Sequence, residues 1–197
     1  MKTQIFISAL VLLLLSSAAC HNHLLADSPL PYTFLIPADY NGILRVVSNE
    51  ECGIKPQVEN GRQVLEFRKD GILILNIESF NGGLTEKGTR VNSNADETKS
   101  FLAKMKSEYY LVDNNGNKTK INQIANAEER LNNAPSILPG ETTVSGYTYK
   151  NEKVEVKGNV YQDFYLYNSD TTQNEAMSLQ KIEAATKALV TACRTSN

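Results

Sequence analysis

Phe34 to Val47 read FLIPADYNGILRVV, and the fold class turns on this stretch. An apolar β-segment runs into Pro37, a turn covers Pro37 to Gly42, and a second strand rich in branched side chains spans Ile43 to Val47. Pro37 fixes φ and ends one strand, Tyr40 can cap an edge with its ring, and Gly42 supplies an unusual φ before the next strand. A chain that opens in this way is expected to build a β-rich domain.

The same rhythm continues outward. After the polar, Gly- and Pro-marked segment NEECGIKPQVENGR (49–62) come VLEF (64–67) and GILILNI (71–77), punctuated by Gly61 and Gly71. Strands at that spacing suit an antiparallel sandwich or barrel. NGGLTEKGTRVN (81–92) reads as a long loop or hairpin end. ADETKSFLAKMK (95–106), preceded by Ser93 or Asn94 as N-cap, places acids first and lysines last, the charge order of a helix. YYLVDNNGNKTKI (109–121) predicts a hairpin turning at Asn115-Gly116. INQIANAEERL (121–131) predicts a short amphipathic helix, ended by Pro135 and Pro139-Gly140.

TVSGYTYK, KVEVKG and VYQDFYLYNS then give three β-runs, the last with aromatics on both faces. The chain closes with EAMSLQKIEAATKALVTACRT (175–195), a helix whose stripe of Leu179, Ile182, Thr186, Leu189 and Cys193 should be buried. The expected architecture is α+β: an antiparallel, sandwich-like β domain with two short helices and a C-terminal amphipathic helix. One domain from Tyr32 to Asn197 accounts for the length.

The opening segment, Ile36-Pro37-x-x-Tyr40-x-Gly42 followed by the Gly71 to Ile74 strand, resembles a family of uncharacterised exported bacterial proteins, many of them lipoproteins. The resemblance covers Tyr32 to Ile77. It implies a small β domain without an assigned activity and carries over no catalytic residue.

The first nineteen residues place the chain in a compartment. Lys2 forms a positive n-region, Ile5 to Leu15 an apolar h-region, and Ser16 to Ala19 a small-residue region, as in a signal peptide. Ser17-Ala18-Ala19-Cys20 resembles a bacterial lipobox, in which the cysteine thiol receives diacylglycerol before the leader is removed. Ser17-x-Ala19 also satisfies ordinary signal peptidase, which would release a secreted protein instead. With Cys20 acylated, residues 20–31 form a tether and the protein faces the periplasm or exterior. By the lipoprotein rule, His21 in place of Asp favours the outer membrane where one exists.

Three cysteines become an even pair once Cys20 is lipidated, so Cys52 and Cys193 are expected to form a disulfide in an oxidising compartment. Two buried free thiols are the alternative.

Composition excludes more than it selects. Acids and bases stand at 22 and 20 without a long run of either sign, which argues against a nucleic-acid partner. Both histidines, His21 and His23, lie in the tether, where no scaffold holds an imidazole against a nucleophile or together with Cys20 on a metal. Asp113 to Asn117 has alternating oxygens, but Lys118 and Ile124 stand where a calcium loop needs Gly and Glu. No phosphate-cradling glycine loop is present, and no cofactor is implied.

Glu50, Glu51 and Asp163 are the acids that a carboxylate-dependent hydrolase would use; a solvated face is their default reading. The expectation is a non-catalytic envelope lipoprotein whose domain binds or scaffolds an envelope protein or glycan, with Tyr147, Tyr149 and Tyr165 as the candidate surface. A periplasmic hydrolase and an exported inhibitor or immunity-type protein are the alternatives.

Overall fold

The computed structural model describes residues 30–77, 102, 106–129, 135–150, 153–156, 158–168 and 175–196, with the backbone alone at 147–150, 153–156 and 175–177. Along the chain these form β1 (Tyr32–Pro37), β2 (Gly42–Ser48), β3 (Gln57–Glu59), β4 (Arg62–Glu66), β5 (Ile72–Ile74), β6 (Glu108–Val112) and β7 (Lys118–Gln123). A 3-10 turn at Ala127–Glu129, β8 (Ser136–Val144), β9 (Tyr147–Lys150), β10 (Lys153–Val156), β11 (Val160–Tyr167) and the helix α1 (Glu175–Thr195) follow. Nine strands make one sheet, ordered β3-β4-β1-β6-β7-β8-β11-β2-β5, and β9 and β10 form a separate two-stranded ribbon.

The connection from β1 to β2 forces this sheet to curl. Residues 38–41 alone join the two strands, yet β6, β7, β8 and β11 lie between them in the sheet. Five strand spacings would separate them by about 24 Å in a flat sheet. Five steps of extended chain reach only about 18 Å. The sheet therefore bends into a half-barrel, and its inner face closes on itself. Phe34 on β1 lies with its ring 5.2 Å, centroid to centroid, from Phe164 on β11, and 4.7 Å from Tyr109 on β6. Ile36, Leu44, Val46, Leu65, Leu75 and Ile137 fill the same interior and are fully buried.

Strand alternation sorts each side chain to a face. On β11, Gln162, Phe164 and Leu166 point inward and are buried, while Tyr161, Asp163 and Tyr165 face out and are half-buried. On β2, Leu44 and Val46 belong to the inner core; Ile43 and Val47 join Ile72, Ile182 and Val190 in a second cluster where α1 packs on the outer face.

Several expectations are corrected. The sheet is mixed, not antiparallel: β1 pairs in parallel with both β4 and β6, β2 with β5, and β7 with β8. The three hairpins β3–β4, β6–β7 and β9–β10 are local; the parallel partners come from distant parts of the chain, without the regular strand-helix alternation that signals them. One curled sheet stands in place of two stacked ones.

Of the helix expected over 121–131, residues 121–129 are the end of β7 running into the 3-10 turn, and 130–131 lie outside the described residues. Ile121 is buried as a strand residue opposite Tyr109, and Asn126 Oδ1 accepts the Glu128 and Glu129 amides at 3.1 and 3.2 Å to start the turn. The helix expected over 95–106 lies outside the described residues except for Leu102, which is helical and buried in the inner core, and Lys106.

Pro139 and Gly140, read as terminators, sit within β8. A bulge there sets Phe164 opposite Pro139 where regular pairing would continue, and the buried Gln162 side-chain amide donates to the Gly140 carbonyl at 3.1 Å. The Asn-Gly pairs at the β3–β4 and β6–β7 hairpins take different backbone conformations. Asn60 and Gly61 both have positive φ, 50° and 73°, making the two-residue turn between β3 and β4. At the β6–β7 hairpin only Gly116 does, at 82°, and Asp113 Oδ1 organises the loop by accepting the Asn115 and Asn117 amides at 2.8 Å.

The Pro37 to Gly42 turn is architectural. The Tyr40 amide donates to the Pro37 carbonyl at 3.0 Å, its hydroxyl donates to the Ile43 carbonyl at 2.5 Å, and Gly42 takes φ 132°. Burial, reinforced by the Asp70 charge, pushes the Tyr40 hydroxyl up to about 12.

Candidate functional site

The outer face of β8 and β11, beside α1, is an open trench. It consists of two adjoining cavities of about 620 and 470 Å³ that share Arg45 and Thr143. Tyr161, Glu183 and Lys187 line the larger, Glu141, Leu138 and Tyr165 the smaller. The rims are β8 on one side and one face of the helix on the other.

Its floor follows from register. Asp163 on β11 is directly opposite Arg45 on β2, so the two side chains project to the same face. The guanidinium donates through Nε and Nη2 to the two carboxylate oxygens at 2.6 and 2.7 Å, a fork-to-fork ion pair. Its carbon also lies 5.3 Å from the centre of the Tyr161 ring. Burial alone would lower the Arg45 pKa; the Asp163 hydrogen bonds and charge outweigh it, and the net shift is upward. Tyr165 lays its ring beside Gly140, where a Cβ would come within 2.9 Å of it. The glycine at the bulge thus makes room for the aromatic side chain.

At the other end of the trench, a buried carboxylate closes the structure. Glu50, 5% exposed, accepts from Arg194 Nε at 3.0 Å and Nη2 at 2.6 Å, and from Asn159 Nδ2 at 2.7 Å. The Arg194 hydrogen bonds hold its carboxyl below the usual carboxylate range. The solvated face expected for Glu50 is therefore corrected: Glu51 is exposed, and Glu50 turns inward to meet the helix end. Next to it, Cys52 and Cys193 are joined at 2.05 Å, closing 141 positions of sequence.

Of the tyrosines expected to share a surface, Tyr165 lines the trench, whereas Tyr147 and Tyr149 belong to β9 in the separate ribbon, with side chains outside the described residues. Cys20 also lies outside them. Sequence reading missed Arg45, Asn159 and Arg194. A signal existed for the first: a single arginine in the apolar run GILRVV and a single aspartate in VYQDFYLY are charges on otherwise apolar strands.

Among the described residues no group of His, Cys, Asp and Glu is arranged to hold a metal ion, and no helix is long and apolar enough to cross a membrane.

A family model described as a family of unknown function, DUF6843, matches residues 30–174. A crystal structure at 2.75 Å of a candidate lipoprotein from Bacillus anthracis is similar at 16% identity, with a TM-score of 0.49, over 82% of this chain and 94% of that one. No curated protein matches.

Proposed function

From the premise that the chain belongs to the DUF6843 family of unknown function, we propose that it is an envelope lipoprotein, anchored through Cys20, whose half-barrel domain binds a partner and does not catalyse a reaction. The observation that carries this reading is the state of Asp163 and Glu50, the candidate acids of the sequence that lie at the trench. Asp163 is occupied by a two-point bond to Arg45, and Glu50 is held charged beneath Arg194. A glycosidase built on two carboxylates needs one of them kept protonated as a general acid, with its pKa raised. The Arg194 bonds move Glu50 in the opposite direction. What remains accessible is a lining of hydroxyl, charged and tyrosine groups, suited to polar contacts with an envelope glycan or protein.

The leader and the Ser17 to Cys20 segment support the anchoring half of the reading, and the outer membrane is the favoured site where one exists. Two measurements test the proposal separately. Intact mass of the N-terminal peptide from membranes of the native host, with Cys20→Ser as control, should show an acylated Cys20; an unmodified N-terminus in the soluble fraction overturns anchoring. Pull-down of solubilised envelope with wild type and Tyr165→Ala should lose a captured component in the variant. Turnover of a peptidoglycan or glycan substrate that Asp163→Asn abolishes would overturn the non-catalytic reading in favour of a hydrolase.

A further inference from the structure

The helix α1 meets the sheet along a narrow strip. Its buried apolar side chains among the described residues are Ile182 and Val190, seated with Ile43, Val47 and Ile72 of the outer face. Thr186, buried between them, donates its hydroxyl to the Ile182 carbonyl of its own helix at 2.6 Å. Leu179, one turn earlier, is 37% exposed. The helix adds no strand to the sheet, and the family match stops at residue 174, one position before it begins.

At its last turn the attachment changes character. Cys193 is bonded to Cys52, and the next residue, Arg194, reaches Glu50 on the same loop and Asn159 just before β11. The Arg194 side chain is 58% exposed, so water competes for that ion pair. The disulfide, unlike that ion pair, is a covalent fastening that solvent does not exchange, and it acts beside the apolar packing of Ile182 and Val190, with Ala185 and Leu189 partly buried next to them.

We infer that α1 is a redox-latched flap over the outer face of the half-barrel: the Cys52–Cys193 disulfide keeps it docked, and reduction lets it detach while the nine-stranded sheet stays folded. Opening requires a dithiol reductant. Its thiolate attacks one sulfur of the disulfide, the other sulfur leaves as a thiolate and takes a proton, and the second reductant thiol resolves the mixed disulfide. Cys52 and Cys193 end as thiols and the reductant as a disulfide; closure is the reverse exchange with a disulfide oxidant. Undocking uncovers Ile43, Val47 and Ile72 and removes the helical rim of the trench. The latch is a property of the domain and does not depend on lipid anchoring.

Amide hydrogen exchange on the full chain, oxidised against dithiothreitol-reduced, tests the proposal. Amides of 182–193 should exchange at least about ten-fold faster after reduction, with β1 and β11 unchanged. Cys52→Ser/Cys193→Ser should reproduce this without reductant, and Arg194→Ala, with its disulfide intact, should leave the helix protected. Equal helix protection in both redox states overturns the latch. Loss of protection across β1 and β11 as well would make the disulfide a clamp on the whole fold and also overturn it, as would a helix freed in oxidised Arg194→Ala.

Discussion

The Tyr40 hydroxyl lies over Gly71 so closely that a Cβ built there would be 2.1 Å from it, and Gly71 itself has φ +75°. The turn between β1 and β2 is in this way seated on the turn before β5. Gly71→Ala combines a left-handed backbone penalty with an overpacked contact and should cost about 2 to 4 kcal/mol. Tyr40→Phe removes the bond to the Ile43 carbonyl and should cost about 1 kcal/mol. Urea unfolding of both variants checks the values, and a Tyr40→Ala/Gly71→Ala double variant should cost less than the sum of its singles because the clash is gone.

Stability should fall in acid through Glu50. Its folded pKa is depressed below the ordinary 4.5 by the Arg194 hydrogen bonds. A depressed carboxylate contributes stability that is present above the unfolded pKa and lost as pH falls through the folded one. Thermal melts of wild type should therefore lose stability below about pH 4.5, and Glu50→Gln should flatten that part of the profile. Arg194→Ala leaves a buried carboxylate without its cation; discounted for the exposure of Arg194, the cost at neutral pH should be about 1 to 3 kcal/mol.

Truncation inside the half-barrel should be the most damaging class of change. Phe164→Ala leaves a cavity beside Phe34 and Tyr109 and should destabilise by about 3 to 5 kcal/mol. Val58→Ala, on the exposed β3, should stay within about 0.5 kcal/mol. Denaturant midpoints at constant m-value decide between them.

The β3–β4 turn offers a cleaner test of backbone conformation alone. A Cβ at Gly61 would meet nothing within 4 Å, so Gly61→Ala should cost only the left-handed penalty, about 1 to 2 kcal/mol. Asn115→Ala should cost less than Gly61→Ala, because Asn115 is absent from the positive-φ residues. Equal effects in equilibrium unfolding would contradict the assignment of the two turns.

These turns mark where the sequence was readable. Asn-Gly between apolar runs announces a hairpin, but which of the two residues takes positive φ depends on loop length, and Asp113 lengthened one loop by supplying acceptors for it. The α1 helix was legible over its full span because 21 residues carry a sustained period, although burial falls on Ile182, Thr186 and Val190 and leaves Leu179 partly exposed. Ile121 and Ile124, three positions apart, fit a helical face; the pairing of Ile121 with Tyr109 instead makes this stretch the end of a strand that stops at Gln123, and pairing is not a local property.

The site was less legible still. Glu50 looked like one more surface acid because its partners, Asn159 and Arg194, lie 109 and 144 positions away. The parallel partners of β1 were hidden for the same reason.

The neighbours of β2 in the sheet carry a consequence for how the molecule assembles. β2 is made second, yet its antiparallel neighbour β11 is made last among the strands, and the Arg45–Asp163 contact spans 118 positions. Until residues 160–167 have emerged, the face of β2 that ends inside the half-barrel has no lasting cover. Long-range pairings of this kind incur loop-closure entropy before any contact rewards it, so the chain should fold slowly for its size and remain open to capture by chaperones or proteases throughout synthesis.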